Sequence, residues 1–139
     1  MTGEAAAVEA ANAGLYAALE AADVDRMATV WDDVEPDAVA CVHPGWPMLR
    51  GRGQVLRSFS AIMANTPYIQ FFLTNVQVDL HGDTAVVTCA ENILTAVTEE
   101  SGSSGQVVAT NVFVRRPDGW RLRVHHGSPV MGTLEETDE

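Results

Sequence analysis

The residues most able to do chemistry in this chain are polar groups set into otherwise apolar, strand-like runs. His43 closes the short run Ala38–His43, immediately before Pro44-Gly45-Trp46-Pro47. An imidazole titrates near neutrality, so at the rim of a pocket it can take a proton; its structural alternative is to cap a loop carbonyl. Asn111 stands among Val108, Val112 and Phe113 near the middle of a later run. An amide buried there without a partner costs about 1 to 3 kcal/mol. It must therefore be satisfied by a neighbouring side chain or donate a hydrogen bond into a cavity.

His125 and His126 are adjacent in the last run, so an unbroken strand points them to opposite faces. His126 falls in phase with Trp120, Leu122 and Val124, and His125 with Arg121 and Arg123, which makes His126 the expected inward group. A bulge in this strand reverses the assignment. Neighbouring strand histidines chelate one ion poorly and no HExxH is present, so the metal signal is weak. Glu91 and Asn92 sit side by side in another run, and one of them must face inward as an orienting partner; Asn92 is taken as a ligand contact. Trp31, Trp46, Tyr68 and Phe72 are the aromatic residues expected to line an apolar pocket. There is no GxSxG and no nucleophilic cysteine arrangement. No Gly-rich phosphate loop follows a strand, and no cofactor is implied.

Positioning these groups falls to a short list of elements. Val8, Ala11, Leu15, Leu19 and Ala22 recur at helical spacing on an alanine-rich background, which predicts a helix over residues 4–22. Asp23 or Asp25 can cap a second helix carrying Val24, Met27, Val30 and Trp31, closed by acidic residues before Pro36. A third helix over residues 54–64 presents Val55, Leu56, Phe59, Ile62 and Met63. The period then changes to two. Strands are predicted over residues 71–80, 84–98, 106–116 and 119–128, with tight turns at His81-Gly82-Asp83 and Pro117-Asp118-Gly119 and a flexible connection over residues 99–105. Helices gathered at the start must cover one face of an antiparallel meander, the α+β layer solution.

Length and composition fit one domain, residues 1–130, followed by an acidic, flexible tail over residues 131–139. With 139 residues, 47% of them hydrophobic, the chain can bury a core and a cavity beside it. Nineteen acidic residues against eight Lys and Arg give a net charge of −11, which repels phosphate backbones and argues against nucleic acid. No apolar run is long enough for a membrane span, and the N-terminus carries acidic residues where an export signal carries basic ones. Cys41 and Cys89 lack CxxC spacing and read as buried thiols. A cytoplasmic protein is expected.

Three stretches carry a family resemblance. They are Tyr16-Ala-Ala-Leu-Glu-Ala-Ala-Asp23-Val-Asp25; Cys41-Val-His-Pro-Gly-Trp46 followed by Arg50-Gly-Arg-Gly53; and Ala109-Thr-Asn-Val-Phe-Val-Arg115 with Gly119-Trp-Arg-Leu-Arg-Val-His-His126. Together they resemble the SnoaL-like branch of the nuclear transport factor 2-like superfamily, which also contains ketosteroid isomerases and scytalone dehydratase. The resemblance implies a cone-shaped α+β barrel, with three N-terminal helices packed on a strongly curved, mainly antiparallel sheet. It also implies metal-free acid–base chemistry on an apolar or aromatic carbonyl compound. On the isomerase pattern the base falls on His43 and the oxyanion donor near Asn111. The helix-one tyrosine falls on Leu15, or on Tyr16 pointing away from the pocket. Kinase association domains of the same superfamily resemble the stretch from Trp120 to His126, so a non-catalytic binder or scaffold is the alternative. Apolar residues on both sheet faces, with helices enough for one, predict a homodimer through the outer face.

Overall fold

In the computed structural model Asp23 caps the second helix, its carboxylate accepting from the Arg26 N–H at 3.0 Å. The structure describes residues 3–98 and 101–131. Helix α1 (Gly3–Ala21) turns through Ala22 into α2 (Val24–Val30), and α3 (Arg52–Asn65) follows two short strands, β1 (Ala40–Val42) and β2 (Leu49–Arg50). Four long strands complete the chain: β3 (Tyr68–His81), β4 (Thr84–Thr98), β5 (Ser101–Arg116) and β6 (Gly119–Pro129). The expected tail falls, apart from Met131, outside the described residues.

The three helices pack on one six-stranded mixed sheet in the order β2-β1-β6-β5-β4-β3, an open α+β arrangement. Neighbouring long strands are antiparallel, as their tight turns require, and Gly82 supplies the positive φ at the first turn. β1 alone runs parallel to its neighbour β6, with Cys41 opposite His125, so it lies inside the sheet rather than at its edge. The two-residue β2 escaped the sequence reading, because Pro47 and the glycines around it mark a loop.

The connection expected over residues 99–105 is mostly strand. Ser101 pairs with Thr98, Gly102 with Ala96, Ser103 with Thr95 and Gly105 with Ile93. A ladder is made of N–H and C=O groups, which serine and glycine carry as well as valine does. Composition predicted a loop because it reports side-chain packing, and here there is little to pack.

The core lies between the helices and the concave sheet face, where Leu15, Trp31, Phe59, Phe113 and Leu122 are fully buried. At one end Asp32, completely buried, receives Arg116 through Nε at 2.7 Å and through its second amino group at 2.8 Å. Its carboxylate also accepts from the Glu35 N–H at 3.1 Å, so one side chain ties the exit of α2 to the end of β5. Arg116 holds the Asp32 carboxyl down to about 2.

Candidate functional site

A cavity of about 280 Å³ opens between the helices and the sheet. Leu15, Tyr16 and Leu19 of α1 and Phe59 and Ile62 of α3 form its helical wall. Ile69, Phe71 and Ile93 form the apolar part of its sheet wall, and Pro44 and Trp46 close one side. Polar groups are few among the described lining residues: Tyr16, His43, Glu91 and His125. This is about twice the ~150 Å³ apolar cavity that accepts benzene, room for roughly two fused rings.

Glu91 is brought in by the alternation of β4, and only 3% of its surface is exposed. Burial pushes its carboxyl up to about 6, against the opposing effect of the Tyr16 hydroxyl, which donates to Oε2 at 2.6 Å. Tyr16 is itself held protonated, first by burial and then by the charge of Glu91. A carboxyl so placed can exchange a proton near neutral pH.

The two inward histidines stay uncharged. Burial lowers His43 to about 4; burial, with smaller effects from His43 and His126, lowers His125 to about 3. Ser58 gives its hydroxyl proton to the Val55 carbonyl at 2.6 Å, so its oxygen accepts from His43 Nε2 at 2.8 Å. Nδ1 of His43 then carries the lone pair, with the weak thiol donor Cys41 Sγ 3.9 Å away. On the other side Asn111, fully buried, donates to Asn12 Oδ1 at 2.8 Å and to the Tyr16 oxygen at 3.1 Å. Its own carbonyl oxygen accepts from His125 Nδ1 at 2.5 Å, which leaves Nε2 of His125 as the lone pair. The donors of this network are spent within the protein. What it offers a ligand is acceptors, two imidazole nitrogens and the carboxylate, so the matching ligand carries hydroxyl groups.

The positions inferred from sequence are divided by this geometry. His43 and Trp46 line the cavity, with their rings edge to face at 4.8 Å. Asn111 faces inward but sits one layer behind, with both amide hydrogens engaged. Trp31 is core, packed on Phe59 at 5.8 Å. Tyr68, Phe72 and Asn92 belong to the other sheet face. Ile69 and Phe71 take the inward phase of β3, while Asn92 donates to the Phe72 carbonyl at 2.8 Å and Tyr68 to Gln70 at 2.6 Å.

His126 is exposed, and the inward residue is His125. Val124 pairs with Val112 and Leu122 with Phe113, so Arg123 is an extra residue whose bulge inverts the phase of everything after it. Sequence did not single out Asn12, and it turned Tyr16 the wrong way, because apolar residues alone define the expected stripe of α1. The buried face runs through Val8, Asn12, Leu15 and Tyr16, so Tyr16 points into the cavity and not away from it. The signal was the four-residue spacing of Val8, Asn12 and Tyr16. Among the described residues no group of three or more His, Cys, Asp or Glu can hold a metal ion. Cys41 and Cys89 are both free and buried. Nor is any described helix long and apolar enough to cross a membrane.

The SnoaL-like domain family matches residues 8–132. A crystal structure from Streptomyces avermitilis, provisionally described as a dehydratase of the NTF2-like family, is 48% identical. The match covers 93% of this chain and 97% of that one, with a TM-score of 0.85. A protein from Thiobacillus denitrificans, provisionally described as a calcium/calmodulin-dependent protein kinase type II association domain, is 32% identical over 88% of this chain and 94% of its own, with a TM-score of 0.77. An NTF2-like protein with a cystatin-like fold from Novosphingobium aromaticivorans shares the fold at 18% identity, covering 95% of this chain and 85% of its own, with a TM-score of 0.74. No curated protein matches.

Proposed function

Because the chain belongs to the SnoaL-like family of the nuclear transport factor 2-like superfamily, we propose that its cavity carries out cofactor-independent acid–base chemistry on a small hydroxylated, apolar or aromatic carbonyl compound, with Glu91 moving the proton. The observation behind this reading is one buried carboxyl, raised to about 6, in an apolar cavity beside two uncharged imidazoles. Elimination of water uses these groups most fully. The Glu91 carboxylate takes the proton from the carbon next to the carbonyl, and the C–H electron pair passes into an enolate. As the enolate collapses, the bond to the β-hydroxyl breaks and the same carboxyl returns its proton to the departing oxygen, which leaves as water. His43 and His125 accept hydrogen bonds from substrate hydroxyls and set the pose. Tyr16, kept protonated, donates to the Glu91 carboxylate until that carboxyl takes up the substrate proton, and its hydroxyl is then released to donate to the enolate oxygen. Asn111 is a positioning residue that fixes the His125 tautomer, and His126 has no part. The dehydratase description of the Streptomyces avermitilis relative favours elimination over isomerisation.

The aldol of benzaldehyde and acetone, a β-hydroxy ketone, tests the proposal. Saturable appearance of its conjugated enone above the buffer rate, followed by ultraviolet absorbance, is the expected result. Saturable binding without enone makes the protein a small-ligand binder instead, and no binding at all removes the cavity from consideration.

A second reading concerns the outer sheet face and is compatible with the first. Phe72 and Val108, each 52% exposed, lie there with Leu94 and Val112. The kinase association domain relative adds a precedent for an assembling role. The expected assembly is a homodimer, this face of one copy against the same face of another. Val108→Lys should then yield a monomer in sedimentation equilibrium, and a monomeric wild-type chain at micromolar concentration would end the idea.

A further inference from the structure

The concave floor of the sheet continues past the cavity. Beyond Glu91 and Ile93 on β4, the next inward position is Thr95; on the facing strand Gly105 lies opposite Ile93 and Ser103 opposite Thr95, with the two hydroxyl oxygens 3.0 Å apart. Val107, paired with Pro129, closes the near side. These residues bound a second hollow of about 290 Å³, and Ile93 is a wall of both. Its described lining comes from β4, β5 and the end of β6, with Val130 beyond, so no helical residue roofs it.

We infer that this hollow is a subsite for an uncharged, hydroxyl-rich arm of the ligand whose apolar head occupies the first cavity. The inference rests on the reading of that cavity as a small-molecule site. Thr95 and Ser103 present hydroxyls, groups that both donate and accept, as an alcohol does, while Ser104 and Gln106 contribute backbone here and turn their side chains to the other face, where Gln106 donates to Asn92. No ionised side chain stands among the described lining residues, so a charged arm finds no counter-ion there. An apolar arm would cover these hydroxyls without replacing their hydrogen bonds to water. The two compartments thus divide the work: the cavity supplies the proton-transfer groups, the hollow supplies polar contacts for the remainder.

Gly105 keeps the way between them open. A Cβ placed on it meets nothing within 4 Å, and its φ lies outside the left-handed region, so backbone conformation does not demand a glycine. A side chain at this position projects from the same face as Ile93, into the passage.

The test is calorimetric titration of the full chain with dihydroxynaphthalene and with its mono-glucoside, which keeps one free phenol for the cavity. Wild-type protein is expected to bind the glucoside about tenfold more tightly than the diol. Gly105→Val should abolish that advantage while leaving affinity for the diol within about twofold, which also shows that the variant is folded. Gly105→Ala should fall between the two. Equal affinities in the wild type, or a Gly105→Val change that weakens both ligands alike, overturn the subsite alone. Failure of the wild type to bind either compound overturns the cavity reading and the subsite with it.

Discussion

Between pH 7 and pH 4 the folded protein is expected to lose on the order of 5 kcal/mol of stability, comparable to the whole margin of a domain this size. His43 and His125 are buried uncharged, with folded values of about 4 and about 3 against the usual 6.5. Below pH 6.5 the unfolded chain takes up two protons that the folded chain refuses, so acid favours unfolding. Glu91 works in the opposite sense. Its folded value of about 6 lies above the usual 4.5, so between these the folded state holds the extra proton and stability falls as pH rises. Two protons against one leave a net loss on acidification through that interval, and the full two-proton slope returns below 4.5. Asp32, lowered to about 2 by Arg116, adds its loss only below its ordinary value of 3.8. Urea denaturation at a series of pH values measures the slope. A midpoint that stays constant from pH 7 to pH 4 would show that the histidines are not buried uncharged. Replacing either one by glutamine should remove about one proton from the dependence.

Glu91→Gln should separate stability from activity. Above pH 6 the buried carboxylate costs the fold about 2 kcal/mol relative to an unburied one, and an amide escapes that cost while still accepting from Tyr16. The thermal midpoint at pH 8 is therefore expected to rise by several degrees. Dehydration of the aldol substrate should fall by about a thousandfold, in the range of a lost general base, with substrate affinity changed only a few-fold. A variant that melts lower and turns over normally would remove Glu91 from the proposed chemistry. One that melts higher and still turns over would keep the electrostatic account and pass the proton-transfer role to another group.

What sequence conveyed well was periodicity. Three helices and four long strands follow from the spacing of apolar residues and from the turns around Gly82 and Gly119, because each element buries one face. What it conveyed poorly was phase. On β3 and β4 neither Phe71 nor Phe72, neither Glu91 nor Asn92, announces which way it points, since both members of each pair suit a strand with two occupied faces. On β6 the alternation is regular as far as Leu122, and one unpaired residue, Arg123, then exchanges His126 for His125. Hydropathy carries no mark of that bulge. On α1 the difficulty was chemical: Asn12 belongs to the inward stripe, but an amide does not resemble a core residue until Asn111 is known to lie against it. His43 was legible because Pro44 follows it, ending the strand where the cavity begins.

The parallel pairing of β1 with β6 also governs when the site can come into being. Cys41 meets His125 across more than half the length of the chain, and the connection between them contains α3 and three long strands. Closing so large a loop is entropically costly, and such distant pairings form late in folding. While the chain is being synthesised β1 must wait, without its neighbour, until the last strand emerges, and until then His43 and His125 have no common cavity to face. The meander from β3 to β5 can assemble first from neighbouring segments. The chemistry therefore belongs to the final event of folding, so a molecule that has formed most of its sheet, Glu91 included, still lacks the two imidazoles that complete its site.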